Sequence, residues 1–185
     1  VSDKPEVISC DVLIIGCGIA GSTAALQLAN DPHCRIAVVT KASDPLECNT
    51  YYAQGGIIYR GKDDSPERLG EDLVRAGDGL NSRGAVKTLA TEGPELVQEL
   101  LVEKYKVPFT VDGLNQLELT REAVHSTSRI AHVHDATGKA IQAKMVEALR
   151  QRPNIQLLTS HTAVDLLTPS HHSLDRLAIY EPLSC

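Results

Sequence analysis

The sequence predicts an α/β fold, built on a Rossmann-like parallel sheet with a helical insertion. The apolar run Val12–Ile15, typical of a buried parallel strand, leads directly into a G-x-G-x-x-G pattern at residues 16–21. An apolar helical pattern over residues 19–29 and a second apolar run over residues 35–40 follow. This order of strand, glycine turn, helix and strand is the one that a dinucleotide-binding βαβ unit requires.

The glycines of this fingerprint, which spans residues 11–41, each have a physical role. Gly16 lets the chain turn sharply out of the strand, Gly18 lets the backbone approach a pyrophosphate, and Gly21 lets the helix pack closely. The start of the helix offers unpaired N–H groups and the positive end of its dipole to phosphates. We interpret Cys17 as a small turn residue rather than a redox group. The candidate phosphate-binding residues are Gly16, Cys17, Gly18, Ile19, Ala20 and Gly21.

The residue after the second strand does not identify the nucleotide. An acidic residue about 20 positions after the fingerprint would bind the adenosine ribose. Lys41 stands there instead, and the nearest acids are Asp44 and Glu47. A lysine suits the 2′-phosphate of NADP and equally the pyrophosphate or sugar of FAD, so the fingerprint leaves the cofactor open.

A second glycine-containing motif occupies residues 48–58. Its sequence from Asn49 to Gly56 is NTYYAQGG. Gly55 and Gly56 lack side chains, so the backbone there can approach a flat ligand closely. The alternative is a Gly-Gly hairpin turn between two short strands at residues 51–52 and 57–59.

Helices are expected next, in the segment 66–105. Apolar residues at helical spacing predict one helix over residues 66–76. A second helix is expected to begin after the capping residue Ser82, and a third at Gly93-Pro94.

The C-terminal part predicts one more helix and one more strand. The helix is expected over residues 137–150, with Asp135 and Thr137 as capping residues. The region 155–167 opens with an apolar run that we expect to form a third parallel strand beside the first two.

Composition limits the size and the partners. A chain of 185 residues normally forms one domain, and 42% hydrophobic residues suffice for a core. The net charge of −6 gives no basic face for nucleic acid. No run reaches the roughly 18 apolar residues of a membrane span, and no secretory signal is recognisable. Five scattered cysteines argue against a disulfide framework and fit a reducing, cytoplasmic compartment.

The segment 119–138 contains the most chemically active side chains, which are Arg121, Glu122, His125, His132, His134 and Asp135. Their spacing matches no metal-binding motif, so we expect no metal site. From the residues alone, Arg121 and Glu122 could equally form an exposed ion pair on a loop.

Four segments occur in a fixed order along the chain: CDVLIIGCGIAG, TYYAQGGI, LTREAVHS and HVHDATG. Together they resemble the N-terminal part of the L-aspartate oxidases, a branch of the succinate dehydrogenase and fumarate reductase flavoprotein family. The resemblance runs from about Cys10 to Leu167 and implies a Rossmann-like FAD-binding domain. The implied FAD contacts, besides the fingerprint, are Lys41, Asn49, Thr50, Tyr51, Tyr52, Ala53, Gln54, Gly55, Gly56, Ala163 and Val164.

Asn49 distinguishes this chain from part of that family. The respiratory members carry a histidine at the corresponding place, and that histidine bonds covalently to the flavin. An amide nitrogen is not a nucleophile, although it donates and accepts hydrogen bonds. The resemblance therefore implies FAD bound without a covalent link.

The resemblance also implies a role for Glu122. In the L-aspartate oxidases this glutamate lies near the amino group of the substrate, and an ammonium needs a carboxylate partner that succinate does not. His125 matches the same motif and is expected at the flavin pocket. Where the family has two glycines, this chain has Ala123-Val124, and the lost backbone freedom is expected to affect substrate choice.

The implied reaction is the oxidation of L-aspartate to iminoaspartate, with hydride passing to flavin N5 and with oxygen or fumarate reoxidising the flavin. Iminoaspartate would feed quinolinate and NAD synthesis, with quinolinate synthase as a partner, in the cytoplasm or in a plant or algal plastid. Later family segments have no counterpart before Cys185, so we expect an incomplete part of a larger flavoprotein. The alternatives are a soluble fumarate reductase or succinate dehydrogenase relative and a non-catalytic nucleotide-binding remnant.

Overall fold

The computed structural model describes residues 6–166. Its elements are β1 (Val12–Ile15), α1 (Ile19–Leu28), β2 (Ile36–Val39), α2 (Asn49–Tyr52), β3 (Ile57–Ile58), α3 (Pro66–Ala76), α4 (Arg83–Leu96), a π-helix (Val97–Lys104), β4 (Leu119–Thr120), β5 (Ile130–Ala131), α5 (Thr137–Arg150) and β6 (Ile155–Leu158). Within the described range no helix is long and apolar enough to cross a lipid bilayer.

Three parallel strands form the first sheet, in the order β1-β2-β6. The register places Val12 opposite Ile36, and Ile36 opposite Ile155. Helices α1 and α5 pack beside this sheet, and their buried faces join a largely aliphatic core around Leu26, Val38 and Met145. The predicted α/β fold is confirmed, and the strand after α5 lies beside β2 as expected.

A second, antiparallel sheet has the order β3-β5-β4. The central strand places Ala131 opposite both Ile57 and Leu119. Each strand has only two residues, which is too short for any alternation of apolar and polar side chains to reveal it in the sequence. This sheet brings the segment 119–138 against the end of the second glycine motif.

The first two helices after β3 begin where the sequence predicts, but the predicted third helix does not form separately. Ser65 caps α3 by accepting a hydrogen bond from the N–H of Arg68 at 3.2 Å, and Ser82 caps α4. The expected new helix at Gly93-Pro94 is wrong, because α4 continues through Pro94 and passes into the π-helix.

Arg60 explains why α4 continues through a proline. Proline has no N–H, so Pro94 leaves the carbonyl of Ala90, four residues earlier, without its helical donor. The guanidinium Nη2 of Arg60 donates to that carbonyl at 3.3 Å and to the carbonyl of Thr91 at 3.4 Å. A side chain 30 residues away in sequence thus replaces the missing backbone donor.

The Gly-Gly hairpin alternative is also wrong. Tyr51 and Tyr52 lie in the short helix α2 rather than in a strand. The strand β3 pairs with β5, more than 70 residues later, instead of with the segment before the glycines. The turn at Gly55-Gly56 therefore joins a helix to a distant sheet.

Candidate functional site

The glycine turn after β1 has the geometry that its sequence predicts. Gly16 has a φ of +102°, a left-handed conformation that side chains disfavour. A Cβ added to Gly21 would lie 2.0 Å from the carbonyl oxygen of Gly16. The predicted turn role of Gly16 and close-packing role of Gly21 are confirmed.

Thr50 joins the two glycine motifs into one structure. Its Oγ1 accepts a hydrogen bond from the N–H of Ile19 at 3.0 Å, and a Cβ on Gly18 would lie 3.2 Å from the same oxygen. On the other side of α2, the N–H of Gly138 donates to the carbonyl of Ala53 at 3.0 Å. The start of α1, the helix α2 and the start of α5 thus meet at this point.

Two buried side chains fix the fingerprint from the core side. The hydroxyl of Ser22 donates to the carbonyl of Cys17 at 2.7 Å, and the amide Nε2 of Gln142 donates to the same carbonyl at 2.8 Å. Nε2 of Gln142 also donates to the carbonyl of Pro45 at 3.1 Å. Because these partners are fully buried, the Cys17 carbonyl, which would repel an anion, faces the core.

Cys17 is a packing residue in this arrangement. Its side chain is 1% exposed, and its thiol donates to the carbonyl of Pro45 at 3.1 Å. Burial raises the pKa of the Cys17 thiol above its ordinary value, so the reactive thiolate is disfavoured. Its predicted role as a small turn residue agrees with this environment.

A first cavity of about 390 Å³ opens at the carboxyl ends of the parallel strands. Six predicted cofactor residues line it: Gly16, Cys17, Gly18, Lys41, Asn49 and Ala163. The first turn of α1 contributes the positive end of its dipole, and Lys41 contributes a full positive charge. An anionic group is the ligand that this wall suits.

A second cavity, of about 440 Å³, lies between the Gly55-Gly56 turn and the antiparallel sheet. Gln54, Gly55, Gly56 and Glu122 line it together with Thr120, His132, His134 and Asp135. A Cβ added to Gly55 would lie 3.0 Å from Oε1 of Glu122, so this carboxylate stands directly against the glycine turn. The structure therefore places the Glu122 carboxylate beside the second glycine motif.

The loop that carries Glu122 forms without glycines. Neither Ala123 nor Val124 is among the described residues with a positive φ. The backbone freedom that two glycines would supply is not needed in this conformation. An effect of the Ala123-Val124 pair on substrate choice stays a prediction.

His125 points to a buried ionic cluster and does not line the second cavity. Its Nδ1 lies 3.2 Å from Nη1 of Arg129. Arg129, which is fully buried, pairs with Asp64 at 2.7 Å and with Asp72 at 2.8 Å. A contact of His125 with the flavin stays a prediction.

The start of α5 differs from the expected cap. The cap position is Ala136, which offers no side-chain hydrogen bond. Thr137 instead accepts a hydrogen bond through Oγ1 from the N–H of Val133 at 2.9 Å. The predicted capping roles of Asp135 and Thr137 are therefore wrong, and Thr137 stabilises the preceding turn.

No group of three or more His, Cys, Asp or Glu side chains between residues 6 and 166 is placed to hold a metal ion. The segment 167–185, with Leu167 and Cys185, lies outside the described residues.

A family comparison now identifies the fold. The profile of the FAD binding domain family matches residues 11–175. The chain belongs to the FAD binding domain family. Its cofactor is FAD.

Relatives with curated names agree with this assignment. The L-aspartate oxidase of Halobacterium salinarum is 39% identical over 163 residues, covering 88% of this chain and 31% of that protein. The L-aspartate oxidase of Pseudomonas aeruginosa is 42% identical, covering 85% of this chain and 30% of its own length. The chloroplastic L-aspartate oxidase 2-b of Nicotiana tabacum is 41% identical, with 85% and 24% covered. The chain thus spans about a third or less of these relatives.

Solved structures show the same FAD binding fold. A quinol–fumarate reductase with bound menaquinol superimposes with a TM-score of 0.78 at 27% identity, covering 86% of this chain and 27% of that chain. The quinol–fumarate reductase of E. coli gives a TM-score of 0.75 at 26% identity, with 81% and 26% covered. Both of these structural neighbours are fumarate reductases.

The residues of the two cavities fit FAD. At Gly18 a Cβ would already be in tight contact with Thr50, so a larger side chain would fill the space that a pyrophosphate needs. The start of α1 and Lys41 at the first cavity suit the two phosphates, and the side-chain-free turn at Gly55-Gly56 suits a flat ring. A smaller cavity of about 190 Å³ is lined by residues of both motifs, among them Ile19, Thr50, Ala53 and Gly55.

The remaining predicted cofactor residues do not line these cavities. Ala20 and Gly21 lie inside α1, and in α2 Tyr51 is half-buried while Tyr52 is exposed. Val164 is 93% exposed. Their contact with FAD stays a prediction.

Several residues of the first cavity belong to no recognisable sequence motif: Val39, Thr40, Glu47, Cys48, His161 and Thr162. Val39 ends β2, and the others come after β2 or β6 in the sequence. Ligands of parallel sheets bind at the carboxyl ends of the strands. Their position at or after the ends of predicted strands, rather than a motif, is the feature of the sequence that could have indicated them.

Proposed function

We propose that this chain forms the FAD-binding part of an oxidoreductase that converts L-aspartate to iminoaspartate. The observation that carries the proposal is the position of Glu122 opposite Gly55. A carboxylate there attracts the ammonium of an amino-dicarboxylate, whereas a plain dicarboxylate offers it only negative charge. The curated relatives named L-aspartate oxidase support the same substrate.

Each group of residues has a separate task in this proposal. Gly16, Gly18 and the start of α1 would hold the pyrophosphate, and residues 54–56 would face the isoalloxazine ring. FAD, when bound, supplies a two-electron acceptor for the substrate. Glu122 holds the substrate ammonium and so orients the carbon that is oxidised.

Asn49 supports a non-covalent FAD. It lines the first cavity, and its amide can donate and accept hydrogen bonds but cannot attack the flavin. Acid precipitation of the FAD-loaded protein should therefore release all the flavin into solution. Flavin that remains with the precipitate contradicts this part of the proposal.

The electron acceptor, the product's fate and the compartment are further parts of the proposal. Oxygen or fumarate would reoxidise the flavin, and iminoaspartate would pass to quinolinate synthase for NAD synthesis. The cytoplasm is the proposed compartment, or the plastid for a plant or algal protein, in line with relatives that are named chloroplastic.

A second candidate function is fumarate reduction or succinate oxidation. It is favoured by the close superposition on quinol–fumarate reductases. The carboxylate of Glu122 in the second cavity argues against it. The two carboxylates of succinate or fumarate would lie beside a third negative charge there.

Anaerobic mixing tests these functions directly. We expect that L-aspartate bleaches the oxidised flavin of a full-length, FAD-loaded protein that contains this chain, and that succinate does so much more slowly. Faster bleaching by succinate supports the second candidate. Tight FAD binding without bleaching by either substrate supports a non-catalytic nucleotide-binding protein.

A further inference from the structure

A buried ionic cluster lies beneath the loop of residues 121–128. Nη2 of Arg129 donates to Oδ1 of Asp64 at 2.7 Å, and Nη1 donates to Oδ2 of Asp72 at 2.8 Å. All three side chains are 2% exposed or less. Because desolvation offsets most of the attraction, such a cluster is often no more stabilising than apolar residues of similar volume, but removing one charged partner from it is costly.

The cluster holds the middle of the loop. Oδ2 of Asp72 accepts hydrogen bonds from the N–H of Ser126 at 2.7 Å and from its hydroxyl at 2.8 Å. Nη1 of Arg129 lies 3.2 Å from Nδ1 of His125, which must be the acceptor because a guanidinium only donates. Arg75, on the same helix as Asp72, donates to the carbonyl of Val124 at 2.8 Å. Three successive loop residues are thus held by charged side chains.

This attachment extends to Glu122. The N–H of His125 donates to the carbonyl of Glu122 at 3.0 Å and closes a turn between them. Within residues 6–166, the Glu122 carboxylate itself makes no hydrogen bond or ion pair. Its place against Gly55 is therefore determined by the backbone of the loop.

We propose that Arg129 and Asp72 are positioning residues that hold Glu122 at the substrate cavity, an inference that rests on the proposed function. They touch neither the second cavity nor the fingerprint. Their effect on the reaction passes through the loop, so loosening the cluster should weaken recognition of the ammonium and leave FAD binding intact. A residue with a purely structural role would instead affect both.

Arg129→Lys in the full-length, FAD-loaded protein is the test. Lysine keeps the charge but can no longer bridge both aspartates and His125 in one plane. We expect amide hydrogen exchange at Ser126 to accelerate about tenfold or more. We also expect the KM for L-aspartate to rise about tenfold, with kcat, FAD affinity and fumarate reduction nearly unchanged.

Two further variants make the test decisive. Arg35→Lys is the matched control, because Arg35 forms an exposed ion pair with Asp11 and should alter none of these quantities. Ser126→Ala removes only one hydrogen bond to Asp72 and serves if Arg129→Lys does not fold. It should raise the KM for L-aspartate in the same direction by a smaller factor.

Three results would overturn the inference or its basis. Equal losses on L-aspartate and fumarate, together with weaker FAD binding, would show that Arg129 is only structural. Unchanged amide exchange at position 126 in both Arg129→Lys and Ser126→Ala would show that the cluster does not hold the loop. A wild-type protein that does not oxidise L-aspartate contradicts the proposed function, whereas the exchange result still decides whether the loop is held.

Discussion

The two cavities of this protein are built by different means. The first is bordered by the glycine fingerprint, where backbone segments approach so closely that a Cβ on Gly21, behind the cavity wall, would lie 2.0 Å from a carbonyl oxygen. The wall of the second that carries Glu122 is a loop held by charged side chains, above all Asp72 and Arg129. The first region cannot accept an added methyl group, and the second cannot lose a charge. We therefore expect different kinds of substitution to disrupt the two regions.

A large loss of stability is expected from a substitution at the fingerprint. Gly21→Ala should lower the free energy of unfolding by about 3 kcal/mol, because its Cβ would collide with the backbone of Gly16. Denaturation in urea measures this change. The matched control is Gly70→Ala inside α3, whose Cβ would find Val86 at an ordinary 3.8 Å. The control should be neutral or stabilising by about 0.5–1 kcal/mol, and equal losses in both variants would refute close packing at Gly21.

The second region should respond to charge. Asp72→Asn is expected to lower the free energy of unfolding at neutral pH by about 3 kcal/mol, since Arg129 and Arg75 would lose a buried partner. Burial raises the pKa of Asp72, but the Ser126 hydrogen bonds and the two arginines outweigh it, so the pKa lies below its ordinary value of 3.8.

The sign of the pH dependence follows from that lowered pKa. The stabilisation by Asp72 is complete above its ordinary pKa and is lost as the pH falls below 3.8 towards the folded value. The difference in Tm between wild type and Asp72→Asn should therefore be constant near neutral pH and shrink in acid. Asp11→Asn, which breaks an exposed ion pair with Arg35, should change Tm only slightly. A Tm difference for Asp72→Asn that grows in acid would contradict the assignment.

A smaller loss of stability is expected where the fingerprint contacts the core. Gln142→Met removes the donor to the carbonyls of Cys17 and Pro45 and should cost about 1–2 kcal/mol. The Kd for FAD should rise with it, since the freed carbonyl is no longer held towards the core. Gln27→Met on the exposed face of α1 is the control, and an equal Kd in both variants would exclude a role for Gln142 in shaping the fingerprint.

The same contrast explains how much of the molecule could be predicted from sequence. The elements β1, α3 and α5 begin and end where the apolar periodicity and the serine cap place them. The fingerprint was recognisable because its close contacts require glycine at fixed spacing. Local patterns therefore predict the glycine fingerprint, whereas the residues that line the first cavity at and after β2 and β6 belong to no motif.

The second region depends on contacts that no local pattern contains. Arg129 finds Asp64 and Asp72 across 65 and 57 positions of the sequence. The two-residue strands have no periodicity, and the passage of α4 through Pro94 depends on the distant Arg60. The sequence indicated Glu122 through its resemblance to a family, but it did not reveal what holds Glu122 in place.

The substrate preference of Glu122→Gln tests the central claim most directly. A charge-assisted contact with an ammonium is worth about 1.5–3 kcal/mol, or about ten- to a hundredfold in rate. In a full-length, FAD-loaded protein, kcat/KM for L-aspartate should fall by that factor, and fumarate reduction should be unchanged or improved. Glu118→Gln, an exposed neighbour outside the cavity, should leave both activities at the wild-type level. Equal losses on the two substrates in Glu122→Gln would contradict the account.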